Sequence, residues 1–124
     1  MVLDSDILIY FLKGQKDVVE EVLKIPQDQL YTTRINYTEL LYGAYNSQRV
    51  EKNLDKIIPF LKNFQVLEFD EPSSLIFAQK KAKLKKNGNL IADMDLMIAS
   101  ISNKQTLYTN NIKHFNRIDE LVLK

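Results

Sequence analysis

Short apolar runs alternate regularly with longer segments of helical spacing along this chain. The apolar runs cover residues 1–3, 30–33, 64–69, 106–108 and 121–123. The segments with helical spacing cover residues 18–25, 35–45, 50–61, 73–86 and 92–102. Apolar strands separated by helices are typical of βαβ units, in which helices cover both faces of a parallel sheet. The alternation predicts a three-layer α/β/α fold with a mainly parallel central sheet of about five strands.

One predicted helix carries chemical markers at both ends. Pro72 suits a first turn, and the acids before it would lie near the positive end of the helix dipole. Asn87 and Gly88 are predicted to end this helix, because glycine adopts the left-handed conformation at low cost. Its apolar positions at helical spacing are Leu75, Ala78 and Ala82. The lysines between residues 80 and 86 then form either a solvated face or a contact with an RNA backbone.

The chain shows no repeat, low-complexity segment or linker, and its 124 residues, 45% of them hydrophobic, are enough for one core. We therefore expect a single domain over residues 1–124. The formal net charge of +1 excludes a histone-like tail and an acidic solvating segment. No run approaches the roughly 18 apolar residues of a membrane span, and no segment resembles a signal peptide. The cytoplasm is the expected compartment.

The composition also limits the available chemistry. The chain has no cysteine, which excludes a disulfide framework, a thiolate zinc site and a cysteine nucleophile. His114 is the single histidine, so a zinc site with several histidines is excluded as well. Carboxylates, hydroxyls and amides are left to carry the function.

Three acids are predicted to meet at one edge of the sheet. Asp4 directly follows the first strand, Glu39 lies about one turn into the helix after the second, and Asp95 lies in the first turn of a later helix. The residues directly after the fourth strand are Thr109, Asn110 and Asn111. Polar residues beyond the carboxyl ends of parallel strands meet in one crevice, however distant they are in sequence.

Three neighbouring carboxylates raise one another's pKa values unless a cation lies between them. Oxygen ligands select a hard ion, Mg²⁺ or Mn²⁺, over zinc or copper. Such an ion lowers the pKa of bound water and stabilises charge on a phosphate under attack. The chemistry that best matches this set of residues is phosphodiester hydrolysis.

Each acid also has a structural interpretation. Acids at helix starts often act as caps, which applies to Asp4, Asp6, Asp93 and Asp95, and Glu39 could be an ordinary surface acid. Asp93 and Asp95 would lie about 200° apart around a helix, so both cannot face one metal ion. Asp93 therefore suits an N-cap and Asp95 the site.

Four motifs in order resemble the PIN-domain family, in particular its small prokaryotic VapC-type toxins. The segments are Leu-Asp-Ser-Asp-Ile-Leu-Ile at 3–9, Tyr-Thr-Glu-Leu-Leu-Tyr-Gly-Ala at 37–44, Asp-Met-Asp-Leu-Met-Ile-Ala at 93–99, and Leu-Tyr-Thr-Asn-Asn at 107–111 with Phe115. The resemblance extends over essentially the whole chain. It implies a PIN-like fold with Asp4, Glu39 and Asp95 as the catalytic, metal-binding acids.

The resemblance also implies supporting roles. A fourth family position, often an acid, falls on or beside Asn111, whose neutral amide is a weaker ligand. Thr109 and Asn110 would position water or phosphate. Asp6 and Asp93 would support the ligands or cap helices, and His114 would be an ordinary surface residue.

Members of this family are endoribonucleases that depend on divalent metal ions, many of which cut structured RNA. They are commonly homodimers inhibited by a DNA-binding antitoxin. The resemblance therefore implies Mg²⁺ or Mn²⁺ as cofactor, RNA as substrate, and a VapB-like antitoxin partner in a heterotetramer or larger assembly. An aromatic helix surface of Tyr37, Leu41, Tyr42 and Tyr45 would fill the domain's own core or contact a dimer or antitoxin partner.

Two other functions are compatible with the sequence. Asp4-Ser5-Asp6 after a strand resembles the Asp-x-Asp motif of haloacid-dehalogenase-like phosphatases, in which the first Asp is a nucleophile. The chain is short for that fold, however, and lacks a later segment with its lysine and paired acids. Asn111 alternatively suggests a binding module with weakened catalysis.

Overall fold

Five short parallel strands form the central sheet of the computed structural model, which describes residues 1–124. They are β1 (Val2–Leu3), β2 (Tyr31–Thr33), β3 (Gln65–Leu67), β4 (Thr106–Tyr108) and β5 (Val122–Leu123). Their order across the sheet is β3-β2-β1-β4-β5, and every neighbouring pair is parallel. The predicted five-stranded parallel sheet is confirmed.

Seven helices connect these strands. They are α1 (Ser5–Leu12), α2 (Lys16–Leu23), α3 (Arg34–Tyr45), α4 (Val50–Leu61), α5 (Glu71–Lys86), α6 (Asp93–Ile101) and α7 (Ile112–Phe115). A single 3₁₀ turn, Gln27–Gln29, precedes β2. None of these helices combines the length and the apolar character that crossing a bilayer requires.

Two hydrophobic cores lie on opposite faces of the sheet. Successive residues of a strand point to opposite faces, so Leu3 packs in one core and Val2 in the other, and both are fully buried. The first core contains residues of α1 to α4, and the second contains residues of α5 to α7. This arrangement confirms the predicted three layers.

The connectivity reverses direction at the centre of the sheet. The chain builds outward from β1 through β2 to β3, and then returns to place β4 on the other side of β1. In open parallel sheets a crevice forms outside the carboxyl ends of the strands at such a point. The fold therefore leaves an opening directly beyond Leu3 and Tyr108, which pair across β1 and β4.

The ends of α5 agree with the sequence prediction. Asp70 is the N-cap, and its carboxylate accepts a 3.0 Å hydrogen bond from the backbone N–H of Ser73. Pro72 lies in the first turn, and Gly88 just after the helix has φ of +69°. Glycine adopts this left-handed conformation without the steric cost that a Cβ would add.

The predicted apolar face of α5 is wrong. Leu75 is 60% exposed, and Ala78 and Ala82 are also exposed. Phe77 and Leu84 pack into the second core instead. Lys80 and Lys81, which the periodicity assigned to the solvated face, are half-buried, as long side chains with aliphatic stems can be.

Candidate active site

Asp4 lies at the centre of the crevice, because it is the first residue beyond β1. Its backbone N–H donates to the carbonyl of Tyr108 in β4 at 3.0 Å, so it extends the ladder between the two strands by one residue. It then leaves the sheet as the N-cap of α1, with its carboxylate accepting from the Ser5 N–H at 2.8 Å. One residue therefore has both the capping contact and the place at the crevice that the sequence suggested.

Hydrogen bonds hold both oxygens of the Asp4 carboxylate. Oδ1 accepts from Asn36 Nδ2 at 2.7 Å, and Oδ2 accepts from the hydroxyl of Thr109 at 2.7 Å. Asp4 is only 7% exposed. A carboxylate this buried needs such donors, because they replace the water it has lost. The result is a fixed negative charge at the carboxyl ends of β1 and β4.

Glu39 lies beside Asp4 and reaches the crevice from α3. Its Oε1 accepts hydrogen bonds from the Ser5 hydroxyl at 2.8 Å and from Asn36 Nδ2 at 3.5 Å. Partial burial raises the pKa of Glu39, and the charges of Asp4 and Asp95 raise it further, while the hydrogen bonds to it act in the opposite direction. Glu39 therefore lies close enough to Asp4 and Asp95 for both charges to affect its pKa.

Asp95 reaches the same crevice from the first turn of α6. Its side chain is 24% exposed, and its Oδ2 lies 3.6 Å from His114 Nδ1, within ion-pairing distance. Partial burial raises the pKa of Asp95 and the charge of Asp4 adds to this rise, whereas His114 lowers it. Asp4 thus raises the pKa of both acids predicted to share its site.

Asp4 and the two acids whose pKa values its charge raises form a donor set suited to a hard divalent cation. The structure contains no group of three or more acidic, histidine or cysteine side chains close enough to coordinate a metal ion together. Mg²⁺ typically keeps several waters and binds through one or two protein carboxylates. Separate oxygen donors around a crevice therefore fit such an ion by their chemistry.

Asp93 lies outside this group. It is the first residue of α6, its side chain is 60% exposed, and it pairs with Lys81 at 3.0 Å. The N-cap of α6 is Ala92, which has no side-chain acceptor, so the prediction of Asp93 as the N-cap is wrong. The predicted angular separation within the first turn explains why Asp95 faces the crevice while Asp93 faces solvent.

Asp6 and Asn110 form a separate contact at the rim. Asp6 accepts hydrogen bonds from the backbone N–H groups of Ile7 at 2.7 Å and of Asn110 at 3.0 Å. Partial burial and the charge of Asp4 raise the pKa of Asp6, while the two backbone donors counteract this rise. Asp6 therefore ties the residues after β4 to the start of α1.

Asn111 faces His114 and does not contact Asp4. Its side-chain Nδ2 lies 3.2 Å from His114 Nδ1, and its backbone N–H donates to the Thr109 hydroxyl at 3.0 Å. Asn111 is the N-cap of α7, but its side chain makes no capping bond. The structure thus brings Asn111 and His114 together next to Asp95.

The sequence interpretation did not identify three residues of this site: Ser5, Asn36 and His114. Ser5 and Asn36 join Asp4 to Glu39 through hydrogen bonds. Asn36 carried one usable signal, since it lies three residues after the N-cap Thr33, a spacing typical of reciprocal capping. His114 was expected to be ordinary surface, and no local pattern signals its contact with Asp95.

Comparison with known proteins finds one family and close relatives over nearly the full chain. The PIN domain family matches residues 1–121. Ribonuclease VapC1 of Haemophilus influenzae strain R2866 is 34% identical over 123 residues, which span 96% of this chain and 92% of the relative. The tRNA(fMet)-specific endonuclease VapC of Shigella flexneri is 31% identical over 121 residues, 96% of this chain and 92% of the relative.

A solved structure supports the same assignment of fold. The crystal structure of VapBC2 from Rickettsia felis, bound to a DNA fragment from their promoter, contains a chain that superposes with a TM-score of 0.89 at 29% identity. The match covers 99% of this chain and 96% of the other. The likeness in fold therefore extends over nearly the whole chain, including the segments in which the four motifs lie.

Proposed function

The chain belongs to the PIN domain family, and from this premise we propose that it is a metal-dependent endoribonuclease, the toxin of a toxin–antitoxin pair. Residues 1–124 act as one domain in this proposal. Its substrate is RNA, and the cytoplasm is the compartment in which it acts. The relatives that support the proposal carry the names ribonuclease VapC1 and tRNA(fMet)-specific endonuclease VapC.

The observation that carries the proposal is the effect of Asp4 on two other acids. Its charge raises the pKa values of both Glu39 and Asp95, which come from different helices. Such a group of carboxylates destabilises a fold unless a cation binds to it. We take Asp4, Glu39 and Asp95 as the residues that hold this cation, and Mg²⁺ or Mn²⁺ as the ion that matches their oxygen donors.

A bound Mg²⁺ or Mn²⁺ would lower the pKa of a water and stabilise the charge that develops on the scissile phosphate. Asp4 and Asp95 hold the ion directly or through water. Glu39 would contact the ion through the attacking water, which it orients: both of its hydrogen bonds within the protein go to Oε1, which leaves Oε2 to accept a proton. Its raised pKa suits this role, since a general base works best when its pKa approaches the working pH.

The residues after β4 hold the substrate side of the crevice in this proposal. The hydroxyl of Thr109 fixes Asp4, and the amides of Asn110 and Asn111 lie at the rim, where they position water or a phosphate oxygen. Neutral donors can bind a phosphate beside three acids without occupying the cation's place. The side chain of Asp6 supports this segment from behind through the Asn110 N–H.

The partner in this proposal is a cognate VapB-like antitoxin, as in the VapBC2 complex from Rickettsia felis. A cavity of about 560 Å³ opens beside the site and is lined by Thr38, Glu39, Tyr42 and Met94. Tyr42 and Met94 are 67% and 45% exposed, so an apolar rim surrounds a carboxylate. A peptide with a basic side chain between apolar residues fits this surface by charge and polarity.

The expected assembly is based on the same likeness to VapBC complexes. We expect a homodimer of this chain, and a heterotetramer or a larger complex with the antitoxin. Tyr45, the other strongly exposed aromatic of α3, is 63% exposed and provides further surface for such contacts. Light scattering after size-exclusion chromatography measures the mass of the chain alone and with its antitoxin.

The test of the enzymatic proposal uses the full chain, with cellular RNA as substrate and Mg²⁺, Mn²⁺ or EDTA in the buffer. Asp95→Ala is the informative variant, because Asp95 is partly exposed and caps no helix. Asp4→Ala is less suitable, since it also removes a helix cap and leaves buried donors unpaired. We expect discrete new RNA ends with the wild type and metal, and none with Asp95→Ala or EDTA.

Asp93→Ala provides the matched control, because it removes an acid from the same helical turn that faces solvent. This variant should cleave RNA as the wild type does. Circular dichroism must show that both variants are folded. Metal-dependent cleavage by folded Asp95→Ala would overturn the proposed site, and a wild type that binds antitoxin without cleaving RNA would indicate a binding module instead.

A further inference from the structure

Asn36 is a fully buried polar side chain next to the site, and the proposed mechanism leaves it without a role. It lies in the first turn of α3 and is fully buried. Every buried side-chain nitrogen and oxygen in the structure has a hydrogen-bond partner, so its carboxamide is fully paired. A buried amide costs free energy unless each of its groups is bonded, so its partners indicate what it does.

The oxygen end of the Asn36 amide faces the start of its own helix. Thr33, the N-cap of α3, accepts the Asn36 backbone N–H at 3.1 Å. The Thr33 hydroxyl in turn donates to Asn36 Oδ1 at 2.7 Å. With Oδ1 bonded to Thr33, Nδ2 points away from the start of the helix, where its own hydrogen bonds to Asp4 and Ser5 hold it.

The nitrogen end faces the two acids. Nδ2 donates to Asp4 Oδ1 at 2.7 Å and to the Ser5 hydroxyl oxygen at 2.9 Å, and it lies 3.5 Å from Glu39 Oε1. Ser5 extends this hydrogen-bond network to Glu39, since its hydroxyl donates to the same Glu39 oxygen at 2.8 Å. Asn36 is the one side chain that hydrogen-bonds to both carboxylates.

We propose that Asn36 is a positioning residue that holds Asp4 and Glu39 side by side as metal-binding acids. Its two N–H hydrogens donate to Asp4 and to Ser5, whose hydroxyl donates on to Glu39, so this network offsets part of the repulsion between the carboxylates without adding a positive charge that would compete with a cation. Its contacts go to Asp4 Oδ1 and Glu39 Oε1, and Glu39 Oε2 is left without a protein partner. This inference rests on the proposed function, because it assigns Asn36 a role toward the same cation.

Asn36→Leu tests the role, since leucine has a similar volume and no hydrogen-bond donor. Calorimetric titration of the full chain with MnCl₂ in the absence of RNA measures metal affinity directly. We expect Asn36→Leu to bind Mn²⁺ about tenfold or more weakly than the wild type, as is typical when residues that orient metal ligands are removed. In RNA cleavage, kcat should fall by a similar factor while KM changes little.

Thr33→Val is the control for a merely structural role. It removes the cap of the same helix and leaves Nδ2 in place, so it should lower the melting temperature and keep Mn²⁺ affinity within about threefold of the wild type, well below the loss expected for a ligand-orienting residue. Asn36→Ser, too short to reach Asp4 but able to contact Thr33, replaces Asn36→Leu if that variant does not fold.

The outcomes separate the two proposals. Wild-type affinity for Mn²⁺ in a folded Asn36 variant would overturn the role of Asn36 and leave the proposed function intact. An equal loss of affinity in Thr33→Val and the Asn36 variants would show that Asn36 serves the helix cap alone. A wild-type chain that binds neither Mn²⁺ nor Mg²⁺ would overturn the metal-dependent function and this inference together.

Discussion

The hydroxyl of Thr109 donates a 2.7 Å hydrogen bond to Oδ2 of Asp4, although 105 positions separate the two residues along the chain. Leu3 and Tyr108 pair in register across β1 and β4, so each partner in this bond is the first residue beyond its strand. The Thr109 hydroxyl also accepts the backbone N–H of Asn111 at 3.0 Å. The reversal of strand order at the centre of the sheet therefore creates the contact that fixes the site.

Replacing Thr109 with valine should weaken both the fold and the site. The change preserves the shape of the buried side chain but leaves the Asn111 N–H without its acceptor and Asp4 without a donor. We expect the free energy of unfolding in urea to fall by about 1–2 kcal/mol, the cost of unpaired buried groups. RNA cleavage should fall as well. Thr109→Ser keeps the hydroxyl and should retain most of both properties; equal stability of the two variants would contradict this assignment.

Neutralising Glu39 should increase the free energy of unfolding when EDTA has removed all divalent ions. The folded state raises the pKa of Glu39, so the native protein binds its proton more tightly than the unfolded chain does. Stability without metal is therefore lost as the pH rises from the ordinary carboxyl pKa to the raised one. Glu39→Gln removes this loss and should raise the unfolding free energy at pH 7 by roughly 0.5 kcal/mol, the scale of partly exposed charge pairs.

Urea denaturation of Glu39→Gln at several pH values checks both the size and the pH dependence of this effect. The same variant should lose metal-dependent cleavage, because active-site substitutions that increase stability commonly reduce activity. Glu20→Gln, which changes an exposed acid on α2, serves as the control. A Glu39→Gln variant less stable than the wild type at pH 7 in EDTA would show that the hydrogen bonds to Glu39 outweigh the repulsion.

Phe115 anchors the segment that carries Asn111 and His114. Helix α7 has only four residues, and Phe115 is its one buried residue, with no exposed surface in the second core. Phe115→Ala should lower the unfolding free energy by about 3–5 kcal/mol. Ile112→Ala, at a position that is 40% exposed in the same helix, should change it by about 0.5 kcal/mol or less. Thermal or urea denaturation distinguishes the two, and similar losses would contradict the anchoring role.

The sheet was predictable because its signal is local. Each apolar run matches a strand to within two residues at either end, and Val2 and Leu3 show why such runs are apolar throughout: adjacent residues enter different cores. The face of α5 was not predictable in the same way. Leu75 is exposed and Phe77 and Leu84 contact the second core, an orientation set by how α5 packs on the sheet and not by the spacing of apolar residues within the helix.

The acids of the site were predictable from their place after strands and at helix starts, and the roughly 200° between Asp93 and Asp95 correctly selected the one that faces the crevice. The neutral residues that hydrogen-bond to these acids were not predictable from the sequence. Asn36 and Ser5 are common residues of helix starts, and their contacts depend on how α1 and α3 approach each other. The approach of His114 to Asp95 likewise depends on the packing of α7.

Removing His114 should shift the pH dependence of cleavage. His114 lowers the pKa of Asp95, which burial and the charge of Asp4 raise, so the imidazole favours the ionised acid that the proposed site needs. In His114→Ala the pKa of Asp95 should rise further, and the acidic limb of the pH–rate profile should move to higher pH. At higher pH, once Asp95 is ionised in both proteins, the rates should converge. Lys113→Ala, which changes the adjacent exposed cation, is the control. Unchanged acidic limbs at limiting Mg²⁺ in both variants would show that His114 does not act on Asp95.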